Sequence, residues 1–135
     1  MRLQILTSAA ALTALTGCVS TADTKPEHFP TTAATRAAIV QYVRENFKDP
    51  YSIRDAEISN SWRTAVSQQQ LGQNALAVCV RMNAKNSFGG YTGRKANGFI
   101  LVNGKVAGAE EDSAACNNPQ RATGWSPFPE LMAIR

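Results

Sequence analysis

Histidine is almost missing from this sequence: His28 is the single copy in 135 residues. Cysteine is scarce as well, at three, and no two are spaced as the Cys-x-x-Cys of a redox site. A zinc centre draws about four ligands, mainly from these two residue types. A hydrolase of the serine or cysteine kind needs a base in fixed contact with its nucleophile, and Ser87 has no histidine for company in the body of the chain. Charge is sparse and nearly balanced, 18% of residues with a formal excess of +4. The basic residues are scattered, so no Lys/Arg block marks a nucleic-acid surface and no such partner is expected. No apolar run reaches the roughly 20 residues of a membrane-spanning helix, and no internal repeat is present. Gly89-Gly90-x-x-Gly93 lacks the GxxxxGK[ST] order of a phosphate loop. The acidic run Glu110, Glu111, Asp112 lacks EF-hand spacing. Neither a cofactor nor a metal is expected.

What is present begins at the amino terminus. Met1 and Arg2 precede "LQILTSAAALTALTG", a short basic start, a modest apolar core and small residues, which is the layout of an export signal. The segment ends in Leu15-Thr16-Gly17-Cys18, which resembles the lipobox of bacterial lipoproteins. That resemblance implies that Leu15, Thr16 and Gly17 are read by processing enzymes and removed, while Cys18 receives acyl chains on its sulfur and becomes the new amino terminus. Two or more chains hold a protein firmly to a bilayer, since each buried methylene contributes about 0.8 kcal/mol. Valine rather than aspartate at position 19 implies, by the same resemblance, an outer-membrane address with the domain facing the periplasm. Removal of Arg2 with the leader lowers the formal charge from +4 to +3.

Export also bears on the two cysteines that remain, Cys79 and Cys116. In an oxidising compartment an even pair reads as a disulfide; two buried thiols are the alternative. The expected organisation is a leader over residues 1–17, the lipidated cysteine and a flexible tether over 18–31, and one domain over 32–135. His28 falls in the tether, a poor place for a general base because catalysis needs fixed geometry.

Within the domain, Thr31 or Thr32 can cap a helix over "AATRAAIVQYVRENF". Ile39, Val43 and Phe47, with Val40 beside them, form its apolar stripe. Arg36, Gln41, Arg44, Glu45 and Lys48 are expected to face water, and Asp49-Pro50 ends the helix. Ala56 and Ile58 share one face of a strand, Asp55 and Glu57 the other. "RTAVSQQQLGQN" reads as a weak strand edge and a polar turn. Leu76, Val78, Val80 and Met82 alternate with Ala75, Ala77, Cys79 and Arg81, a strand apolar on both faces and therefore central. Asn103-Gly104 predicts a two-residue hairpin turn between Phe99–Val102 and Lys105–Ala109. Trp125, Phe128 and Leu131 are available to cover the core. The fold class expected is α+β: one small domain, an N-terminal helix packed on an antiparallel sheet, and a C-terminal region stapled by the disulfide.

One segment offers a site. "NAKNSFGGYTGR" gathers Asn83, Lys85, Asn86, Ser87, Phe88, Gly89, Gly90, Tyr91, Thr92 and Gly93 between two predicted strands. Its aromatics and amides suit a partner-binding loop. Alternatively, Phe88 and Tyr91 fold back on the sheet and the glycines serve only backbone geometry. Here the chain resembles a group of small exported proteobacterial proteins of uncharacterised function, through Asp49-Pro50-Tyr51-Ser52, the strand bearing Cys79, and Asn83 through Gly93. Val80 stands where that group has glycine, and the aromatic after the loop is delayed to Phe99. The resemblance implies a shared fold and an important loop, and no catalytic role.

Carboxylate pairs for glycoside chemistry, Asp55 with Glu57 or the 110–112 run, read as solvated charge. The function expected is that of a membrane-anchored, non-catalytic envelope lipoprotein with an envelope protein as partner. A structural lipoprotein without a ligand site is the second reading, and a small carboxylate-based hydrolase the third.

Overall fold

A computed structural model describes residues 25–64 and 75–135. The polar turn expected over "AVSQQQLGQN" lies outside them. At the centre is β4 (Ala75–Asn83), in which Val78, Val80 and Met82 are buried on one face and Ala77 and Cys79 on the other. A strand apolar on both faces belongs inside a sheet, and β5 (Lys95–Val102) pairs with it from Ala75 opposite Val102 to Met82 opposite Lys95. Its second edge is shared. β2 (Arg54–Ile58) lies against the C-terminal half of β4 and β3 (Ser61–Arg63) against the N-terminal half. Ser59 bridges the break: its N–H donates to the Cys79 carbonyl at 2.9 Å, and its hydroxyl accepts the Cys79 N–H at 2.9 Å. The hydroxyl takes the place of a ladder carbonyl, which leaves no buried amide unpaired there.

The remaining strands are short or at the edge. β6 (Lys105–Glu110) returns along β5 through Asn103 and Gly104, whose φ values of +51° and +77° are those of the expected tight hairpin turn. β1 (His28–Phe29) lies outside β3, and β7 (Ser126–Pro127) outside β2. Every pairing is antiparallel.

Helix α1 (Ala33–Asn46) is capped by Thr32, whose side chain accepts the Thr35 N–H at 3.2 Å. Ile39 and Val43 are fully buried, with Val40 and Phe47 packed beside them. The helix ends at Asn46, earlier than the Asp49-Pro50 stop. Pro50 instead opens a single tight turn, Pro50–Ser52. A second helix that the sequence reading missed, α2 (Pro129–Met132), starts at a proline in a position where a missing N–H costs nothing. α1 meets α2 at one end and β6 at the other, so it crosses the strands rather than running along them.

Arg36 departs from expectation too. Instead of facing water it lies over Phe128, its guanidinium 4.8 Å from the ring centroid, and donates to the Pro127 carbonyl and to Glu130. Phe128 and Leu131 do cover the main core, but Trp125 sits on the opposite face of the sheet, stacked with Arg81 at 3.8 Å. The paired stretch Ser126–Pro127 separates them and turns alternate residues to opposite faces.

That second face carries Trp62, Ala77, Cys79, Ala96, Cys116 and Ala122. Small side chains leave room for the Cys79–Cys116 disulfide, which the structure contains as expected. It lies against Gly98, opposite Cys79 on β5. A Cβ there would come within 3.2 Å of Ser113 and 3.4 Å of the Cys116 sulfur. The molecule is a small α+β domain, a helix on a curled antiparallel sheet with its C-terminal region stapled by the bridge. The stretch read as a tether up to residue 31 is attached from His28 onward. His28 Nε2 donates to the Arg121 carbonyl at 2.6 Å, and the Thr31 hydroxyl donates to the Ser59 carbonyl at 2.8 Å.

Two outcomes follow. The bridge closes a loop of 37 residues, so the Cys79→Ala/Cys116→Ala variant should lose about 2–4 kcal/mol of unfolding free energy in urea titration. Glu130 is held below its ordinary pKa by the backbone N–H at the start of α2 and by Arg36. A depressed carboxylate contributes stability above its unfolded value that is lost as pH falls through its folded value. Thermal denaturation should therefore show a shallower acid loss in Glu130→Gln than in the parent chain.

Candidate binding site

Between β4 and β5 the chain turns through a loop whose tip is organised by one side chain. Lys85 and Tyr91 form an antiparallel bridge, and the Asn86 N–H donates to the Gly90 carbonyl at 2.8 Å. The Asn86 side-chain oxygen accepts the N–H groups of Phe88 and Gly90, at 2.9 and 3.1 Å. An asparagine that captures the amide two residues on makes a turn of its own. Gly89 completes it at φ +80°, a conformation unfavourable for other residues.

The loop is also fastened to the segment after α1. Ser52, buried, accepts the Lys85 N–H on its hydroxyl at 3.1 Å and the Tyr91 hydroxyl on its carbonyl at 2.8 Å. The Arg54 guanidinium lies 3.5 Å from the Tyr91 ring centroid, a cation–π stack, and Lys48 donates to the Ser87 hydroxyl at 3.1 Å. Thus Asp49-Pro50-Tyr51-Ser52 and the loop, two stretches far apart in sequence, are joined through Ser52. Arg54 was not singled out from sequence, Lys48 was expected only to face water, and Ser52 entered only as the last residue of the Asp49-Pro50-Tyr51-Ser52 stretch, with no link to the loop.

The two aromatics part company. Phe88 is 96% exposed, whereas Tyr91 is half-buried and bonded. Tyr91 answers to the fold-back reading, Phe88 to the contact reading. Asn83 is removed from the contact surface. It ends β4 opposite Arg54 and is buried, on the sheet face away from Met82. Lys85, Asn86, Ser87, Gly89, Gly90, Thr92 and Gly93 are exposed.

Because α1 crosses the strands, the sheet ends at Met82, Lys95 and Asn97 project beyond it and floor an open cleft of about 490 Å³. Tyr42 and Asn46 of α1, with Phe47 just past its end, form one wall; Lys85–Ser87 with Thr92 and Gly93 form the facing one. This volume falls within the range of small-ligand sites. Glu110 and Glu111 line the third side. Glu111 pairs with Lys95 at 3.0 Å, and its hydrogen bond and charge hold that ammonium above the ordinary lysine range.

The carboxylates considered for catalysis are each spent separately. Glu57 is shared by Arg81, at 3.1 Å, and Arg94. Asp55 is exposed beside Arg54 at φ +54°. Glu110 accepts the Ser113 hydroxyl, and Asp112 accepts an Asn117 amide N–H. Among the described residues no group of three or more His, Cys, Asp or Glu side chains is placed to hold a metal ion. None of the helices there is long and apolar enough to cross a membrane. Leu15, Thr16, Gly17 and Cys18 lie outside the described residues.

With this geometry in hand, comparison with protein-family models, with curated proteins and with solved structures finds no match.

The loop's two anchors separate in a mutant pair. Asn86→Ala leaves two amides of the tip without their acceptor, while Tyr91→Phe removes one bond to the body. Each should cost about 0.5–1.5 kcal/mol in denaturant unfolding. Only Asn86→Ala should accelerate hydrogen exchange at the Phe88 and Gly90 amides.

Proposed function

We propose that this chain is a lipid-anchored, non-catalytic binding domain of the bacterial cell envelope. In this reading Cys18 carries the acyl chains, the domain faces the periplasm from the outer membrane, and the loop over residues 85–93 touches an envelope protein. One observation carries the binding part. Phe88 is held out in water by a loop that is itself bonded closed and fastened to the body.

Burial of a phenylalanine side chain is worth about 1.5–3 kcal/mol, and the fold leaves that unclaimed. A rigid aromatic also loses little freedom on binding, which is why such residues dominate interface energetics. The neighbouring amides and hydroxyls of Asn86, Ser87 and Thr92 supply the polar rim around it. The separately engaged carboxylates and the bonded His28 support the non-catalytic part.

A photoreactive residue placed at position 88 of the full chain, in cells, tests the contact. The expected result is one discrete crosslinked protein, absent when the probe sits at exposed Lys105 on the far hairpin. Equal, diffuse labelling from both positions would remove the binding reading. Intact-mass analysis of the same material should show a chain beginning at Cys18 with added acyl mass. An unprocessed chain would remove the anchor.

A further inference from the structure

The outer edge of β6 is covered by no strand among the described residues. The other two edge strands, β1 and β7, are two residues long, whereas β6 has six. An uncovered edge of that length is a template for another strand. Lys105, Ala107, Ala109 and Glu110 are exposed along it. Its two ends carry opposite charge. Among the described residues Lys105 has no carboxylate within 4.0 Å and Glu110 no cation; Glu110 takes only the Ser113 hydroxyl.

In a regular strand, residues five apart point to opposite faces. A bulge ordinarily blunts an edge, but this one brings the two charges together. It falls between the partners of Ile100 and Leu101, leaves Ala107 unpaired and cancels the alternation. Lys105 stands opposite Val102 and Glu110 opposite Gly98, so both lie on the disulfide face. Val106 and Ala109, opposite Leu101 and Phe99, both lie on the helix face. Main-chain bonding keeps the same count. The two-residue turn makes Val102 and Lys105 a bonded pair. Bonded pairs then recur at Gly108 and Glu110, which leaves the N–H and C=O groups of Val106 and Ala109 directed outward.

We propose that β6 pairs antiparallel with β6 of a second copy, about a two-fold axis between Ala107 and Gly108. Val106 then exchanges main-chain bonds with Ala109 of the partner subunit, and Lys105 faces Glu110 of the partner subunit, each pair occurring twice. Face, bonding and charge all agree in this one register; a shift by one residue sets side chains of opposite faces against each other. The contact is isologous, as a closed dimer requires. Nothing bulky stands at the axis, where a Cβ on Gly108 would have no atom within 4 Å. A strand of another protein would have to carry an acid and a base in this order on one face, five residues apart across a bulge. β6 supplies that complement to itself. Pairing of β6 needs no contact at Phe88.

A short edge makes a weak contact in dilute solution, so the test is made in cells, with a photoreactive residue at position 107 of the full chain. The expected product contains two copies of this chain and no other protein by mass spectrometry. Lys105→Glu and Glu110→Lys should each lower its yield about tenfold, because like charges then face each other across the axis. Co-expression of the two single variants sets opposite charges face to face again and should restore the product, as should Lys105→Glu/Glu110→Lys in one chain. Absence of a two-copy product, a product containing a different protein, a single reversal without effect, or co-expressed variants that fail to restore the yield would overturn the proposal.

Discussion

The fold and the site both depend on the pairing of β4. It is hydrogen-bonded along both edges and buried on both faces, with β5 on one side and β2 and β3 on the other. Its even-numbered residues Val78, Val80 and Met82 meet the helices, while Cys79 faces away and ties the C-terminal region to the sheet. A one-residue slip would exchange the two faces, bringing Cys79 to the helix side and separating it from Cys116. The bridge, the Ser59 bonds to Cys79 and the full-length pairing with β5 therefore enforce a single register.

From that register follows the position of the loop. β4 and β5 run past α1, so their connection emerges at an uncovered end of the sheet, against the segment that leaves the helix. Ser52 collects the contacts there, and Tyr91 and Arg54 reinforce them. The same arrangement that stabilises the base of the loop leaves its tip nothing apolar to pack on. Phe88 is then exposed by construction, since Asn86 fixes the backbone on either side of it.

Much of this was legible in the chain. Period-two alternation identified β4, Asn103-Gly104 the hairpin, and Ile39 and Val43 the buried side of α1, because each signal is local. The pairing of Cys79 with Cys116 followed from counting. What was not legible depends on long-range packing. Arg36 is a polar residue on a helix surface until Phe128 arrives beside it from the other end of the chain. Trp125 and Phe128 look equivalent in composition, and only the pairing of Ser126–Pro127 with β2 sends them to opposite faces. Nothing local distinguishes Phe88 from Tyr91 either. Their fates diverge because Tyr91 has a hydroxyl that Ser52 can accept and Phe88 does not.

The central claim is that a folded, disulfide-bridged domain keeps Phe88 in water while burying Phe99 and Phe128 completely. All five phenylalanines, at positions 29, 47, 88, 99 and 128, lie within the described residues, so fluorine-labelled phenylalanine with a soluble paramagnetic chelate reports on each. The account predicts strong broadening of the resonance from position 88 and none at 99 and 128. Protection of position 88 equal to that of 99 and 128 would contradict it.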